Sequence, residues 1–183
     1  MRQPIFIIIV GTNGTGKTTL LHKMIKKTGR RSLIVDPDGY EWRNLPTVEI
    51  DNIIEVNKRL KKGKSVKVVG PEAKDIKLLD KYTKGNLVLD DCRYYTDSRI
   101  DKDMRKLFIR RRQKEIDIFA VSHSLVDVPP GFFTYATHVI LFKTADNPDR
   151  VKKNIPNYLE MIEIMKRVNK NSNPHYFEEF SLK

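Results

Sequence analysis

An unbroken run of apolar residues leads directly into a glycine-rich segment, and this junction constrains the fold more than any other feature of the chain. Residues 5 to 10 read Ile-Phe-Ile-Ile-Ile-Val, which is typical of a strand covered on both faces. Residues 11 to 18 match the pattern G-x-x-x-x-G-K-[ST] at every fixed position, and a helical apolar stripe follows from Lys17 to Lys27. This order of strand, loop and helix predicts a phosphate-binding loop (P-loop).

The loop also predicts which residues hold a nucleotide. Glycines let backbone N–H groups curl around the phosphates, Lys17 reaches the β- and γ-phosphates, and the Thr18 hydroxyl holds a magnesium ion. We therefore expect ATP and Mg²⁺ as cofactors. The predicted nucleotide-binding residues are Gly11, Thr12, Asn13, Gly14, Thr15, Gly16, Lys17, Thr18 and Thr19.

Strand-like and helical segments alternate along the rest of the chain, and this alternation predicts an α/β fold with a mostly parallel sheet covered by helices on both faces. The predicted strands are 5–10, 32–35, 66–69, 86–90, 116–121, 139–142 and an extended piece near 175–180. The predicted helices are 17–27, 51–62, 71–81, 98–113 and 156–168, with a helix or turn at 129–135. We expect one domain over 1–183, with a motor core at about 5–145 and a C-terminal helix and extended segment at about 146–183.

An acidic pair follows the apolar segment Asn86–Leu89, where a buried strand would meet solvent. Asp90 is predicted to support the magnesium ion, directly or through water. Asp91 points elsewhere because it is one residue further on, and it could polarise the attacking water. An ordinary turn cap is the alternative reading of this pair. An additional strand is expected between the P-loop strand and this acidic (Walker B) strand. This places the chain among the P-loop NTPases with an additional sheet strand, a plan that adenylate- and thymidylate-type kinases usually lack.

Three arginines end the predicted helix 98–113, and a polar segment closes the strand after it. Arg111 falls near the middle of the buried stripe of this helix, with Arg110 and Arg112 on either side. A guanidinium on a core-facing line needs an anionic partner such as an acid, a phosphate or a neighbouring subunit. His123 lies where a side chain can sense the γ-phosphate or position water, although local hydrogen bonds could equally account for it.

Positive charge is concentrated in three windows of a chain whose net charge is +12. Windows 22–31 and 58–67 contain no acidic residue, and window 99–114 holds eight basic residues against two acidic ones. Such clusters suit sequence-independent binding of a polyphosphate backbone, although Lys-rich helix faces can also be merely solvated. The single cysteine excludes an internal disulfide framework, and the apolar runs are too short for a membrane span. We expect a cytoplasmic protein, or one within a virion if the chain is viral.

The order of these motifs resembles the FtsK–HerA superfamily of DNA-pumping ATPases, and most of all its small viral branches, the poxvirus-type and Zot-like genome-packaging ATPases. The resemblance runs over about residues 5–145. It rests on the P-loop, the segment Asp36-Pro37-Asp38-Gly39-Tyr40-Glu41, the acidic pair, and the spacing of eleven residues from Arg112 to His123. The segments 128–133 and 139–142 continue the likeness.

The resemblance implies an ATP-driven DNA translocase that acts as a homo-oligomeric ring on double-stranded DNA, with a capsid or portal protein as a possible further partner. Lys17 and Thr18 would hold phosphate and metal. Asp90 would hold magnesium, Asp91 would activate water and His123 would sense the γ-phosphate. Arg112, or its neighbour Arg111, would stabilise charge in the transition state.

Two other functions remain open at this point. A nucleoside or nucleotide kinase also begins with this loop, and residues 110–112 could clamp a second phosphorylated substrate. A nucleotide-gated nucleic-acid-binding subunit with little turnover is the other. It is suggested because Asp91 and His123 stand where the family usually has Glu and Gln.

Overall fold

Among the residues that the structure describes, seven strands form one sheet in the order β3-β2-β4-β5-β1-β6-β7, in which only β7 runs antiparallel to its neighbour. The structure is a computed structural model, and it describes residues 3–96 and 100–182. The strands are β1 (Phe6–Val10), β2 (Ser32–Asp36), β3 (Ser65–Val69), β4 (Gly85–Leu89), β5 (Ile116–Ser122), β6 (His138–Leu141) and β7 (Glu178–Ser181).

The predicted additional strand is β5, which lies between β1 and β4. Val10 is in register with Ser122, and Leu89 is in register with Ala120. The ends of β1, β4 and β5 therefore meet at one edge of the sheet, here called the carboxyl edge. The P-loop, the acidic pair and His123 all follow these strands directly, so the topology brings the three predicted motifs together.

Both faces of the sheet are buried, as the continuous apolar strands predict. In β1, Phe6, Ile8 and Val10 pack into one hydrophobic cluster, whereas Ile7 and Ile9 pack into a second cluster on the opposite face. The first face is covered by the apolar sides of four helices, and the second mainly by the helix after the P-loop and by Trp42. The predicted fold class, an α/β P-loop NTPase fold, is confirmed.

In the described part of the chain, five α-helices connect the strands: α1 (Lys17–Thr28), α2 (Ile53–Arg59), α3 (Lys102–Arg110), α4 (Pro130–Tyr135) and α5 (Tyr158–Lys170). Short 3₁₀ segments cover Ile50–Asn52, Ala73–Lys81, Cys92–Tyr95 and Pro148–Val151. Within 3–96 and 100–182, none of these helices has the length and apolar character needed to cross a membrane.

Three predicted helices differ from those observed. The helix predicted over 71–81 is a 3₁₀-helix over Ala73–Lys81. Its buried residues Ile76 and Leu79, and Tyr82 directly after it, recur at every third position, which is the 3₁₀ period. The helix expected over 51–62 begins as a 3₁₀ turn and ends at Arg59, where the chain becomes extended at Leu60. The helix expected from residue 98 begins at Lys102, and residues 97–99 lie outside the described part of the chain.

Candidate nucleotide site

The P-loop adopts the conformation that its glycines allow. Gly14 and Gly16 have φ angles of 77° and 95°, in the left-handed region that suits glycine. At Gly11, an added Cβ would lie 2.5 Å from the Cβ of Phe142, so no other residue fits beside β6 without displacing it. The loop is tied down by a hydrogen bond from the Thr12 amide to the Lys143 carbonyl (2.9 Å). Glycine is therefore required at these three positions by the backbone or by the packing.

Lys17 is the buried cation of the site. Its Nζ donates to the carbonyl oxygens of Gly11 (2.6 Å) and Thr12 (3.0 Å), and it lies 3.4 Å from Nδ1 of His123. Burial lowers the pKa of Lys17, and the nearby carboxylate of Asp90 opposes this effect. The ammonium is thus folded back onto its own loop, next to the place where phosphates would lie.

Asp90 lies across the cavity from the loop, at the end of β4. One carboxylate oxygen accepts a hydrogen bond from Nε1 of Trp42 (2.6 Å), and the other accepts from the backbone amide of Asp91 (3.2 Å). Burial raises the pKa of Asp90 to about 6, although the hydrogen bond from Trp42 opposes the shift. The carboxyl group is thereby held in a fixed orientation in surroundings that disfavour its charge.

Asp91 turns the chain into the 3₁₀ segment Cys92–Tyr95. Its φ of 44° is left-handed, which is unusual for a residue other than glycine and costs free energy that the surrounding structure must offset. The side chain is half-buried and lines the same cavity as Lys17 and Asp90. The two consecutive carboxylates of Asp90 and Asp91 therefore both line the nucleotide cavity.

The cavity has a volume of about 640 Å³ and brings together most of the predicted site residues. Asn13, Gly14, Gly16, Lys17, Thr18, Thr19, Asp90, Asp91 and His123 line it. Five carboxylates also line it, against one lysine: Asp36, Asp38, Glu41, Asp90 and Asp91. A bare polyphosphate would be repelled by so many acids, so the charge balance calls for a divalent cation beside the phosphates.

The donor groups present fit magnesium. The Thr18 hydroxyl and the carboxylates of Asp90 and Glu41 are hard oxygen ligands. No group of three or more His, Cys, Asp or Glu residues suited to a metal occurs in the described part of the chain. Mg²⁺ is usually held by one or two protein oxygens together with substrate phosphates, so a sparse protein shell is consistent with this ion.

Two residues that were not predicted for the site contact the P-loop. Oε2 of Glu41 accepts a long hydrogen bond from the Thr18 hydroxyl (3.4 Å), and Nδ1 of His175 lies 3.2 Å from the carbonyl of Thr15. The segment 36–41 was noted as a motif, so Glu41 could have been found from it. His175 could not, because it lies 160 residues away along the chain.

The arginines lie at the other end of β5, at the edge where the parallel strands begin, here called the amino edge. Arg111 is 4% exposed, and its Nη1 donates to the carbonyl of Phe108 (2.9 Å), while Nε and Nη2 have no hydrogen-bond partner. The expected anionic partner of Arg111 is not found among the described residues.

Arg112 is exposed, and Arg110 pairs with Asp80 (2.8 Å). The seven residues of β5 separate these arginines from His123 by roughly 20 Å. Neither Arg111 nor Arg112 meets the nucleotide cavity of its own chain.

No model of a protein family and no curated protein matches the chain. Solved structures do. The genome packaging NTPase B204 from Sulfolobus turreted icosahedral virus 2 in complex with ATP-gammaS superposes with a TM-score of 0.75 at 16% identity, over 100% of this chain and 94% of that chain. Its complex with sulfate gives 0.73 at 17% identity, over 100% and 93% of the two chains. B204 of Sulfolobus turreted icosahedral virus, a DNA-packaging ATPase, gives 0.72 at 19% identity, over 99% and 94%.

At these identities the similarity is one of fold. It extends over nearly the whole of both chains, so the α5 and β7 region is included as well as the P-loop core. The predicted resemblance to small viral genome-packaging ATPases is therefore confirmed as a likeness of fold.

Proposed function

We propose that the chain is a P-loop ATPase that hydrolyses ATP to ADP and phosphate and uses this reaction to move double-stranded DNA, as a viral genome-packaging motor. The observation that carries the proposal is the cavity in which Lys17 and the P-loop face Asp90 and Asp91. The likeness of fold to B204, a genome packaging NTPase solved with ATP-gammaS, supports the choice of motor over other P-loop proteins.

The first step is binding of the triphosphate. The N-terminus of α1 directs free backbone N–H groups and the positive end of its dipole into the cavity. Lys17 would exchange its contacts with the carbonyls of Gly11 and Thr12 for contacts with the β- and γ-phosphates. Thr18 and Asp90 would hold Mg²⁺. When bound, this ion would neutralise part of the negative charge of the phosphates.

The second step is attack by water on the γ-phosphate. Asp91 lines the cavity beside Asp90 and has no metal role, and it would orient the water and take up its proton. Nδ1 of His123 lies 3.4 Å from Nζ of Lys17, so His123 would be next to the γ-phosphate and register its presence.

Completion of the site calls for a neighbouring subunit. Because Arg111 and Arg112 lie at the amino edge, either could stabilise the transition state only in the cavity of another chain. Arg112 is the better candidate because it is exposed, whereas Arg111 is buried. A ring of identical subunits would place the arginine of one chain at the nucleotide of the next. A capsid or portal protein would then anchor the ring.

The test is phosphate release from ATP and Mg²⁺, with and without double-stranded DNA. We expect turnover that DNA stimulates and that needs no second acceptor. Lys17→Ala should lower it at least about 100-fold. Lys170→Ala, which removes an exposed lysine of α5, should leave it unchanged.

The other outcomes select other functions. Tight ATP binding without turnover would overturn the motor and favour a nucleotide-gated nucleic-acid-binding subunit. ADP that forms only when a nucleoside or nucleotide is added would identify a kinase.

A further inference from the structure

Four loops at the amino edge are joined to one another by backbone hydrogen bonds. They precede β3, β2, β4 and β5, in that order along the edge, and comprise 60–64, 29–31, 82–84 and 111–115. The Ser32 amide donates to the Lys64 carbonyl (2.9 Å), the Asn86 amide to the Arg31 carbonyl (2.9 Å), and the Lys84 amide to the Lys114 carbonyl (2.8 Å). The loops therefore form one fixed surface, roughly 15 Å across at the usual spacing of strands.

The three basic windows of the sequence converge on this surface. The exposed cations in or within three residues of the four loops include Lys58 and Arg59, which pair with Glu55. Eight others remain: Lys26, Lys27, Lys61, Lys62, Lys64, Lys81, Lys84 and Arg112. None of them forms an ion pair with a carboxylate between residues 3 and 182, apart from 97–99. We call these eight residues the basic edge.

The acids nearby are neutralised by other cations. Asp117 is buried and accepts a hydrogen bond from Nη1 of Arg30 (2.8 Å). Asp80 pairs with Lys106, Arg110 and Lys114. Glu115 is the exposed acid of the four loops. The basic edge thus keeps most of its positive charge available to a partner.

A cavity of about 770 Å³ lies within this surface, larger than the nucleotide cavity. Lys62, Lys84 and Arg112 line it from three different loops. One wall is fixed because the Arg31 guanidinium donates to the carbonyls of Asn57 and Thr83 (2.5 Å for the latter). An anion that enters the cavity would meet cations from several directions on a rigid frame.

Stabilisation of helix C-termini accounts for only part of the basic edge. A cation in the last turn of a helix interacts favourably with its dipole, which explains Lys26 and Lys27 in α1. Lys62, Lys84 and Arg112 lie beyond the helix ends, in loops.

We propose that the basic edge binds the phosphodiester backbone of double-stranded DNA without regard to sequence. The inference rests on the proposed function, which supplies DNA as the polymer. Charge of one sign, spread over several neighbouring loops, suits a backbone with regularly spaced phosphates.

Two other partners fit less well. None of the large exposed apolar side chains lies in the four loops, so the surface lacks the apolar groups that would enter a membrane. The neighbouring chain of the proposed ring would meet Arg112, which lies at the β5 end of this surface, and the seven lysines of the basic edge would remain available to DNA.

The test is fluorescence anisotropy of a labelled 30-base-pair duplex in 50–200 mM KCl without nucleotide. One variant combines Lys61→Gln, Lys62→Gln and Lys84→Gln. The matched control combines Lys152→Gln, Lys153→Gln and Lys170→Gln, which removes the same charge from exposed residues near α5. Thermal unfolding checks that both variants fold.

The first variant should bind the DNA duplex at least about tenfold more weakly at low salt. The plot of log K against log[salt] should become less steep, with the magnitude of its negative slope reduced by about 2 to 3 units. The control should bind as the unmodified chain does. If the two variants lose equal affinity while the unmodified chain binds DNA and hydrolyses ATP, the location is wrong and the proposed function stands. If the unmodified chain does not bind DNA, both fail. Two results in place of DNA binding would also overturn the inference. One is that the chain binds phosphatidylserine vesicles, and the other is that it self-associates through a contact that the first variant abolishes.

Discussion

The two edges of the sheet carry opposite chemistry. At the carboxyl edge, five carboxylates surround one buried lysine in a cavity of about 640 Å³. At the amino edge, the eight exposed cations of the basic edge lie in or beside four loops, and the nearby acids Asp80 and Asp117 are already paired. The first edge is suited to one compact ligand together with a metal, and the second to an extended anion.

The difference follows from the direction of the strands. In a parallel sheet, helix N-termini lie at the carboxyl edge, where backbone N–H groups can hold phosphate directly. Helix C-termini lie at the amino edge, where free carbonyls repel anions. An anion there can be held only by side chains long enough to extend beyond the helix ends, which is what lysine and arginine provide. The affinity for a phosphate group at the carboxyl edge should therefore depend on the positions of the backbone N–H groups. The affinity for an anion at the amino edge should depend on the salt concentration.

The largest expected effect separates two carboxylates of the carboxyl edge. Asp91→Asn should lower kcat about 1000-fold, or about 4 kcal/mol, with KM little changed, because it removes the group that takes up the proton of water. Glu41→Gln should chiefly raise KM for Mg²⁺-ATP, because Glu41 lies 3.4 Å from the Thr18 hydroxyl where the metal is expected. Steady-state phosphate release over a range of Mg²⁺ concentrations measures both.

The reverse pattern would exchange the two roles. A large loss of kcat in Glu41→Gln, with Asp91→Asn nearly as active as the unmodified chain, would make Glu41 the residue that polarises water. Asp38→Asn changes an exposed acid of the same cavity and serves as the control for loss of charge alone.

The next prediction tests whether the ion pair between Arg30 and Asp117 stabilises the amino edge. The Asp117 side chain is fully buried, and Arg30, whose side chain is 26% exposed, donates to it at 2.8 Å. Arg30→Ala should lower the free energy of unfolding by about 3 kcal/mol, because it removes a charged partner from a buried carboxylate.

Urea denaturation measures this change against a matched exposed pair. Lys58 and Glu55 form an ion pair at 3.0 Å with both side chains well exposed, so Lys58→Ala should cost less than about 1 kcal/mol. Equal losses in the two variants would mean that the Arg30 pair is not a structural anchor of this edge.

The carboxyl edge was far easier to predict from the sequence than the amino edge. The P-loop, the acidic pair and His123 each directly follow a strand of continuous apolar residues, and parallel pairing then brings the three ends together. A local pattern was therefore enough to assemble most of the nucleotide cavity. The 3₁₀-helix over Ala73–Lys81 was mistaken for an α-helix because three residues per turn and 3.6 differ little over so short a segment.

The rest depends on contacts between distant segments. His175 reaches the P-loop from 160 residues away, and Arg30 meets Asp117 across 87 residues. The basic windows were visible in the sequence, but whether their charges were free or paired was not. Only the arrangement of the loops shows that Lys106, Arg110 and Lys114 share Asp80, while Lys62 and Lys84 face solvent.

The smallest expected effect is a gain of stability at the carboxyl edge. Burial raises the pKa of Asp90 from 3.8 to about 6, so the folded chain holds this proton more tightly than the unfolded chain does. The protonated carboxyl favours folding below about pH 4, and this contribution is lost as the pH rises through 6. Without Mg²⁺ and nucleotide, Asp90→Asn should therefore raise the free energy of unfolding by about 1 to 2 kcal/mol at pH 8 and change it little at pH 4.5.

Urea denaturation at the two pH values distinguishes this effect from a general one. An Asn oxygen can still accept from Nε1 of Trp42, so the variant keeps the shorter of the two hydrogen bonds of Asp90. A variant equally destabilised at both pH values would show that the hydrogen bonds of Asp90 outweigh the burial of its charge. A gain confined to high pH would mean that the chain gives up stability at this edge to keep a carboxylate where a metal ion can use it.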